Sequence, residues 1–130
     1  MKTLLTATAA MLALAAPALA EGDAAKGEKD FRQCKACHMI QAPDGEMIVR
    51  GGPVGPNLYG VIGRTAGTVE DYRYSKDHAA LADKGVVWNE ENIVEYITDP
   101  SEFIGGRSKM TFKLRKGGEN IAAYLATFSE

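Results

Sequence analysis

Cys34-Lys35-Ala36-Cys37-His38 is the stretch that decides how this 130-residue chain is read. Two thiols separated by two residues, with an imidazole directly after the second, have the spacing of c-type haem attachment. Each thiol adds to one vinyl group, so the pair must reach two neighbouring edges of one macrocycle. The next side chain then lies under the ring plane, where an imidazole nitrogen binds the iron. Other chemistries fit less well. A dithiol redox motif needs a βαβ setting that the pattern does not offer. Zinc needs four ligands, and only Cys34, Cys37, His38 and His78 supply thiols or imidazoles. Cys37 and His38 are adjacent and poorly placed to share one tetrahedral ion. A simple Cys34–Cys37 disulfide leaves His38 without a role.

Ahead of the motif, residues 1–20 read as a cleaved secretory signal peptide: Lys2, an apolar run from Leu4 to Leu19, and Ala18-Leu19-Ala20 before Glu21. The run is short for a membrane span and no basic cluster follows it, which argues against stable membrane insertion. Residues 21–130 then form one small domain. Export suits the motif. An oxidising compartment would tend to close the two thiols, and thioether bonds to haem consume both. A core this small also gains from a large apolar ligand bonded at its centre.

Of 15 basic residues one, Lys2, falls in the leader, which leaves 14 against 17 acids. The charges are segregated. Residues 65–99 hold eight acids against Arg73, Lys76 and Lys84. Residues 101–118 hold Arg107, Lys109, Lys113, Arg115 and Lys116 against Glu102 alone. This pattern implies a one-faced protein contact and does not suggest nucleic-acid binding.

Helix signals punctuate the rest. Asp23 is placed to cap a first helix over Ala24–Ala36, with Phe31 as its large apolar side chain and Gly27 where another element can cross closely. Met39 to Gly63 reads as a long loop, with a turn at Pro43-Asp44-Gly45 and breaks at Gly51-Gly52-Pro53 and Gly55-Pro56. Such a loop in a small domain wraps something or carries function. Ser75 caps a short helix, Lys76–Asp83, closed by Gly85. Asn89 caps the clearest helix, whose apolar face is Ile93, Val94, Tyr96 and Ile97. Asp99-Pro100-Ser101-Glu102 reads as a capping box with proline at the first helical position, and Gly105-Gly106 ends that helix. An extended segment runs through Leu114. After Gly117-Gly118 a last helix buries Ile121, Tyr124, Leu125 and Phe128. No β-ladder pattern is visible, so the fold class is all-α, with small helices and long loops.

The iron needs a second axial ligand from His78, Met39, Met47 or Met110. Met39 follows His38 and cannot reach the opposite face. Met47 lies close after the attachment site. His78 sits among charged residues and reads as a solvated surface histidine. Met110, in the extended stretch Ser108-Lys109-Met110-Thr111-Phe112, is far enough along the chain to fold over the distal face, and position favours it.

With Glu21–Gly27, the Cys34–His38 motif, Gly55-Pro56-Asn57-Leu58-Tyr59-Gly60, Gly63-Arg64-Thr65-Ala66-Gly67 and Lys109-Met110-Thr111-Phe112, the chain resembles a class I cytochrome c. Within that class it is most similar to the cytochrome c2 group of purple and related proteobacteria. The resemblance covers essentially all of 21–130. It implies the cytochrome c fold around one covalent haem c held by Cys34 and Cys37, with His38 and Met110 as axial ligands. It further implies that Pro56 offers its carbonyl to His38, that Arg64, Tyr74 and Trp88 lie near the propionates, and that Tyr96 and Ser108 stand beside the methionine. Gly27, Phe31, Ile121 and Tyr124 match the crossing of the first and last helices. The implied function is electron transport by a monomeric periplasmic carrier, not an enzyme. Its donor would be a membrane cytochrome bc complex, and its acceptor a photosynthetic reaction centre or the cytochrome oxidase of a respiratory chain. The chain departs from the pattern between Pro100 and Met110, where it lacks a lysine-rich insertion and carries Ser101 and Glu102 in place of docking lysines.

Overall fold

The computed structural model describes residues 22–128, so the expected signal peptide, residues 1–20, lies outside the described residues. Five helices form: α1 (Ala24–Asp30), α2 (Lys76–Asp83), α3 (Glu90–Thr98), α4 (Pro100–Ile104) and α5 (Gly118–Ala126). The caps are those the sequence announces. Asp23 accepts from the Ala25 and Lys26 N–H groups, Ser75 from His78, Asn89 from Asn92 and Asp99 from Glu102. Each satisfies donors that a helix start leaves without intrahelical partners. Asn92 returns a bond to the Asn89 N–H, so the reciprocal capping box belongs to α3. At α4 the Asp99 carboxylate instead takes the Lys113 ammonium at 3.0 Å.

Two local expectations are corrected. The first helix does not run to Ala36. It ends at Asp30, tightens into a 3-10 turn over Phe31–Gln33, and gives way to turns through the cysteine motif. The long loop also contains a small antiparallel hairpin, β1 (Ile40–Gln41) with β2 (Met47–Val49), paired Ile40 to Val49 and Gln41 to Met47 around an irregularity. Its tip is the Pro43-Asp44-Gly45 turn, where Gly45 has φ 92° and its N–H donates to the Ala42 carbonyl at 2.9 Å. Two residues of strand are too few to show an alternating pattern.

The frame is built on α1, α3 and α5. α1 crosses α5 at Gly27, where a β-carbon would sit 1.9 Å from the Asn120 carbonyl oxygen. The Phe31 and Tyr124 rings meet beside this crossing, centroids 5.7 Å apart, and Phe31, at 1% exposure, is among the most deeply buried side chains. Burying such a ring contributes about 1.5–3 kcal/mol. On the other flank Gly118 lets α5 approach Val94 of α3. A second, irregular ladder joins the segment after the long loop to the strand-like stretch before α3. Gly63 N–H donates to the Trp88 carbonyl, Trp88 N–H to Arg64, and Ala66 N–H to Val86, at 2.7, 2.9 and 2.8 Å. It fixes Arg64 and Trp88 relative to one another. Among the described residues no helix is long and apolar enough to cross a membrane.

The Gly27 crossing yields the first prediction. Gly27→Ala forces α1 and α5 apart and lowers stability by at least about 1–3 kcal/mol, the usual cost of overpacking. Thermal unfolding followed by circular dichroism reads this as a clear fall in Tm; an unchanged Tm contradicts the crossing.

Candidate functional site

The Cys34–His38 turn is closed by its own backbone, with the Cys37 and His38 N–H groups donating to the Cys34 carbonyl at 3.2 and 2.9 Å. The glycine-rich loop then lies against it. Gly52 N–H donates to the Lys35 carbonyl at 2.9 Å and Gly55 N–H to that of Cys37 at 2.7 Å. Side chains are excluded here: a β-carbon on Gly51 would be 1.7 Å from the His38 carbonyl oxygen, and one on Gly55 would be 2.3 Å from Cε1 of the His38 ring. Asn57 holds the loop in register, its side chain accepting from the Gln41 N–H and donating to the Gln41 carbonyl at 3.0 and 2.9 Å.

These contacts deliver the Pro56 carbonyl to Nδ1 of His38 at 2.8 Å. A carbonyl only accepts, so Nδ1 carries the proton and Nε2 keeps a lone pair. Burial lowers the His38 pKa and favours this neutral form, although the Pro56 bond acts in the opposite direction. Burial, and then the neighbouring Cys37, push the Cys34 thiol up to about 11. That is a protonated thiol, unlike the low-pKa thiolate of a dithiol redox centre. Cys34 and Cys37 are not joined in a disulfide.

Facing this turn is a cavity of about 310 Å³. Cys34, Cys37 and His38 line it, and Met110 lines it too, whereas Met39 and Met47 do not. Much of the remaining wall is core apolar surface, including Phe31, Leu58, Val61, Ile93, Ile121 and Leu125. Pro56, Arg64, Tyr74, Trp88 and Tyr96 reach it as well. Ser108 is not part of the wall. Its hydroxyl accepts the Met110 N–H at 3.1 Å and lies against the Tyr96 phenol, so it works from behind the methionine.

The Met110 segment is gripped at Arg107. Ser75 Oγ donates to the Arg107 carbonyl at 2.6 Å, and the Arg107 N–H donates to Asp77 Oδ2 at 2.7 Å. Lys109 reaches back to the Arg73 carbonyl, with its ammonium 5.9 Å from the Tyr72 ring centroid. Thus the first turn of α2 serves as both helix cap and clamp. The sequence announces the cap; the clamp spans 30 or more residues of chain and carries no local signal.

His78 requires a correction. The expected surface histidine is 9% exposed and lies on the cavity wall, with ring centroids of Tyr74, Tyr96 and Trp88 at 4.6, 5.6 and 6.3 Å. Burial lowers its pKa to about 4, which makes it a neutral imidazole near pH 7. The missed signal is the pairing of His78 with Leu81 one turn on, since both face inward from α2. Arg64 is half-buried, and one guanidinium nitrogen donates to the Asn57 and Tyr59 carbonyls at 3.1 and 3.4 Å. The Tyr74 hydroxyl accepts from the Val69 N–H at 3.2 Å, which leaves its own proton to donate.

The donor set suits haem. A neutral imidazole and a thioether share one largely apolar cavity with two thiols at its edge, and the glycine cradle admits no other side chain behind His38. Among the described residues no group of three or more His, Cys, Asp or Glu side chains converges to hold a bare metal ion. A helical shell around such a cavity defines the class of small c-type cytochromes.

Comparisons agree. No family model matches the chain. The cytochrome c2 of Rhodobacter capsulatus is 54% identical over 132 residues, 96% of each chain. The cytochrome c-550 of Paracoccus versutus is 50% identical over 139 residues, 99% of this chain and 90% of that one. Among solved structures, R. capsulatus cytochrome c2 superposes with a TM-score of 0.80 at 52% identity, covering 82% of this chain and 97% of that one. Ferric cytochrome c-550 from P. versutus gives 0.82 at 49%, covering 85% and 100%. The chain belongs to the cytochrome c2 family, electron carriers with one covalently attached haem c.

The clamp at Arg107 is testable by hydrogen exchange. Asp77→Ala removes the acceptor of the Arg107 N–H, so that amide exchanges faster while those of α5 hardly change. Exchange at Arg107 as slow as before contradicts a clamp through Asp77.

Proposed function

We propose that this chain is a soluble periplasmic one-electron carrier whose haem is bonded through Cys34 and Cys37, with His38 and Met110 as the axial iron ligands. The observation that carries the reading is a neutral His38 imidazole and Met110 on the walls of one cavity, with Met39 and Met47 elsewhere. Residues 1–20 fit this reading as an export signal removed from a mature domain 21–130. The bound haem supplies a one-electron Fe(II)/Fe(III) couple.

The chain's own residues shape that couple. Pro56 holds the His38 ring in one orientation and raises its basicity as a ligand. The soft thioether of Met110 and the apolar walls favour the reduced state. The Arg107 clamp and Ser108 keep the methionine segment in place, so the walls need little rearrangement when an electron arrives or leaves. Arg64, Tyr74 and Trp88 form a polar edge suited to the propionates, with Tyr96 and Ser108 beside Met110.

The contact face is the cavity mouth, where the exposed Val54 and Phe112 also line the cavity. Lys35, Arg115 and Lys116, close in sequence to the attachment turn and the Met110 segment, are exposed. Lys109 keeps its charge while its ammonium is held by the Arg73 carbonyl, whereas Lys113 is partly offset by its pairing with Asp99. A membrane cytochrome bc complex as donor, and a reaction centre or terminal oxidase as acceptor, fit such a face. Long-range steering then survives only modestly, and it fades beyond a Debye length of about 8–10 Å.

Mass spectrometry of the exported protein tests the attachment. The expected result is a chain beginning at Glu21 that carries one haem which survives denaturation; haem that extracts into acid solvent contradicts the thioether bonds. Met110→Ala should lower the potential and admit cyanide or carbon monoxide quickly, and a native spectrum in that variant removes the methionine assignment. With a bc complex, the reduction rate should fall as salt is added. A rate that rises with salt rules out the basic rim.

A further inference from the structure

His78 carries a polar atom that the fold leaves without a protein partner. Nε2 is buried and makes no hydrogen bond, the single such side-chain atom among the described residues. An orphan of this kind is destabilising unless something satisfies it. Its neighbours offer little. The ring is enclosed by the rings of Tyr74, Trp88 and Tyr96, and none of their polar atoms bonds Nε2. The helix that bears it is tied down by the Ser75 and Asp77 bonds to Arg107.

His78 also lines the cavity. A group bound in the cavity therefore has access to the imidazole. Apart from its metal, a haem is apolar except at its two propionate carboxylates. His78 lies between Tyr74 and Trp88, two members of the polar edge, and both rings are within 6.3 Å of its own. A neutral imidazole has one N–H to give, and a carboxylate only accepts.

We propose that His78 donates a hydrogen bond to a haem propionate and so helps position the cofactor's acidic edge and set its potential. The proposal rests on the haem reading above. A charge-assisted bond of this kind is about twice as strong as a neutral one. It draws negative charge away from the iron, and negative charge near the iron favours Fe(III). Removing the donor therefore lowers the potential.

The test uses the full haem protein labelled with 15N-histidine, in the reduced, diamagnetic state. The expected result is one slowly exchanging His78 ring N–H with a through-space contact to propionate methylene protons. A ring proton that exchanges at solvent rates, or a slow one without that contact, overturns the proposal. His78→Leu should shift the potential downward, and His78→Gln, which keeps an N–H donor, should bring it back toward the native value. Equal potentials for His78→Leu and the native protein overturn the proposal. Intact mass separates the two layers: covalent haem without the His78 effects fails this inference alone, whereas extractable haem fails the attachment reading and this inference with it.

Discussion

The constraint on which everything else depends is an apolar space of about 310 Å³ at the centre of a small chain. A small domain has a total stability of only about 5–15 kcal/mol. The helices are short, with five residues in α4 and seven in α1, and helices of that length are marginal without tertiary packing. Fold and cofactor are therefore one problem. The sequence solves it by bonding a large flat apolar group to the chain beside the α1–α5 crossing.

The loops then do the precise work. From Gly51 to Pro56 the backbone lies directly on the attachment turn, and this close approach aims the Pro56 carbonyl at His38. On the other wall the Met110 segment has no regular structure of its own. It borrows rigidity from the first turn of α2 through Arg107, and from α3 through the bond from Leu114 N–H to the Ile97 carbonyl at 2.8 Å. The His38 turn and the Met110 segment are thus held by different parts of the chain. That suits a carrier whose geometry should stay the same with and without the electron.

Much of this was legible in residues because the signals are local. Asp23, Ser75, Asn89 and Asp99 each announce a helix through side-chain bonding to nearby N–H groups, and all four caps form. The Cys34–His38 spacing and the distant Met110 were enough to expect one cavity between them. What the sequence hid depends on contacts between segments remote in the chain. α1 ends at Asp30 and tightens into a 3-10 turn before the cysteines, a change that helix propensity does not register. The hairpin after Met39 is too short to alternate visibly. His78 has charged neighbours in sequence but points inward from α2, and Lys113 is drawn to Asp99 at the α4 cap. A charge count along the sequence does not register such a pairing.

Iron X-ray absorption, recorded on the exported protein in both oxidation states, tests the central claim most directly. The account predicts four macrocycle nitrogens, one imidazole nitrogen and one sulfur around the iron, with the same set and nearly the same distances in Fe(II) and Fe(III). A spectrum without sulfur, or an axial ligand that changes with oxidation state, would contradict a cavity built between His38 and Met110 for electron transfer.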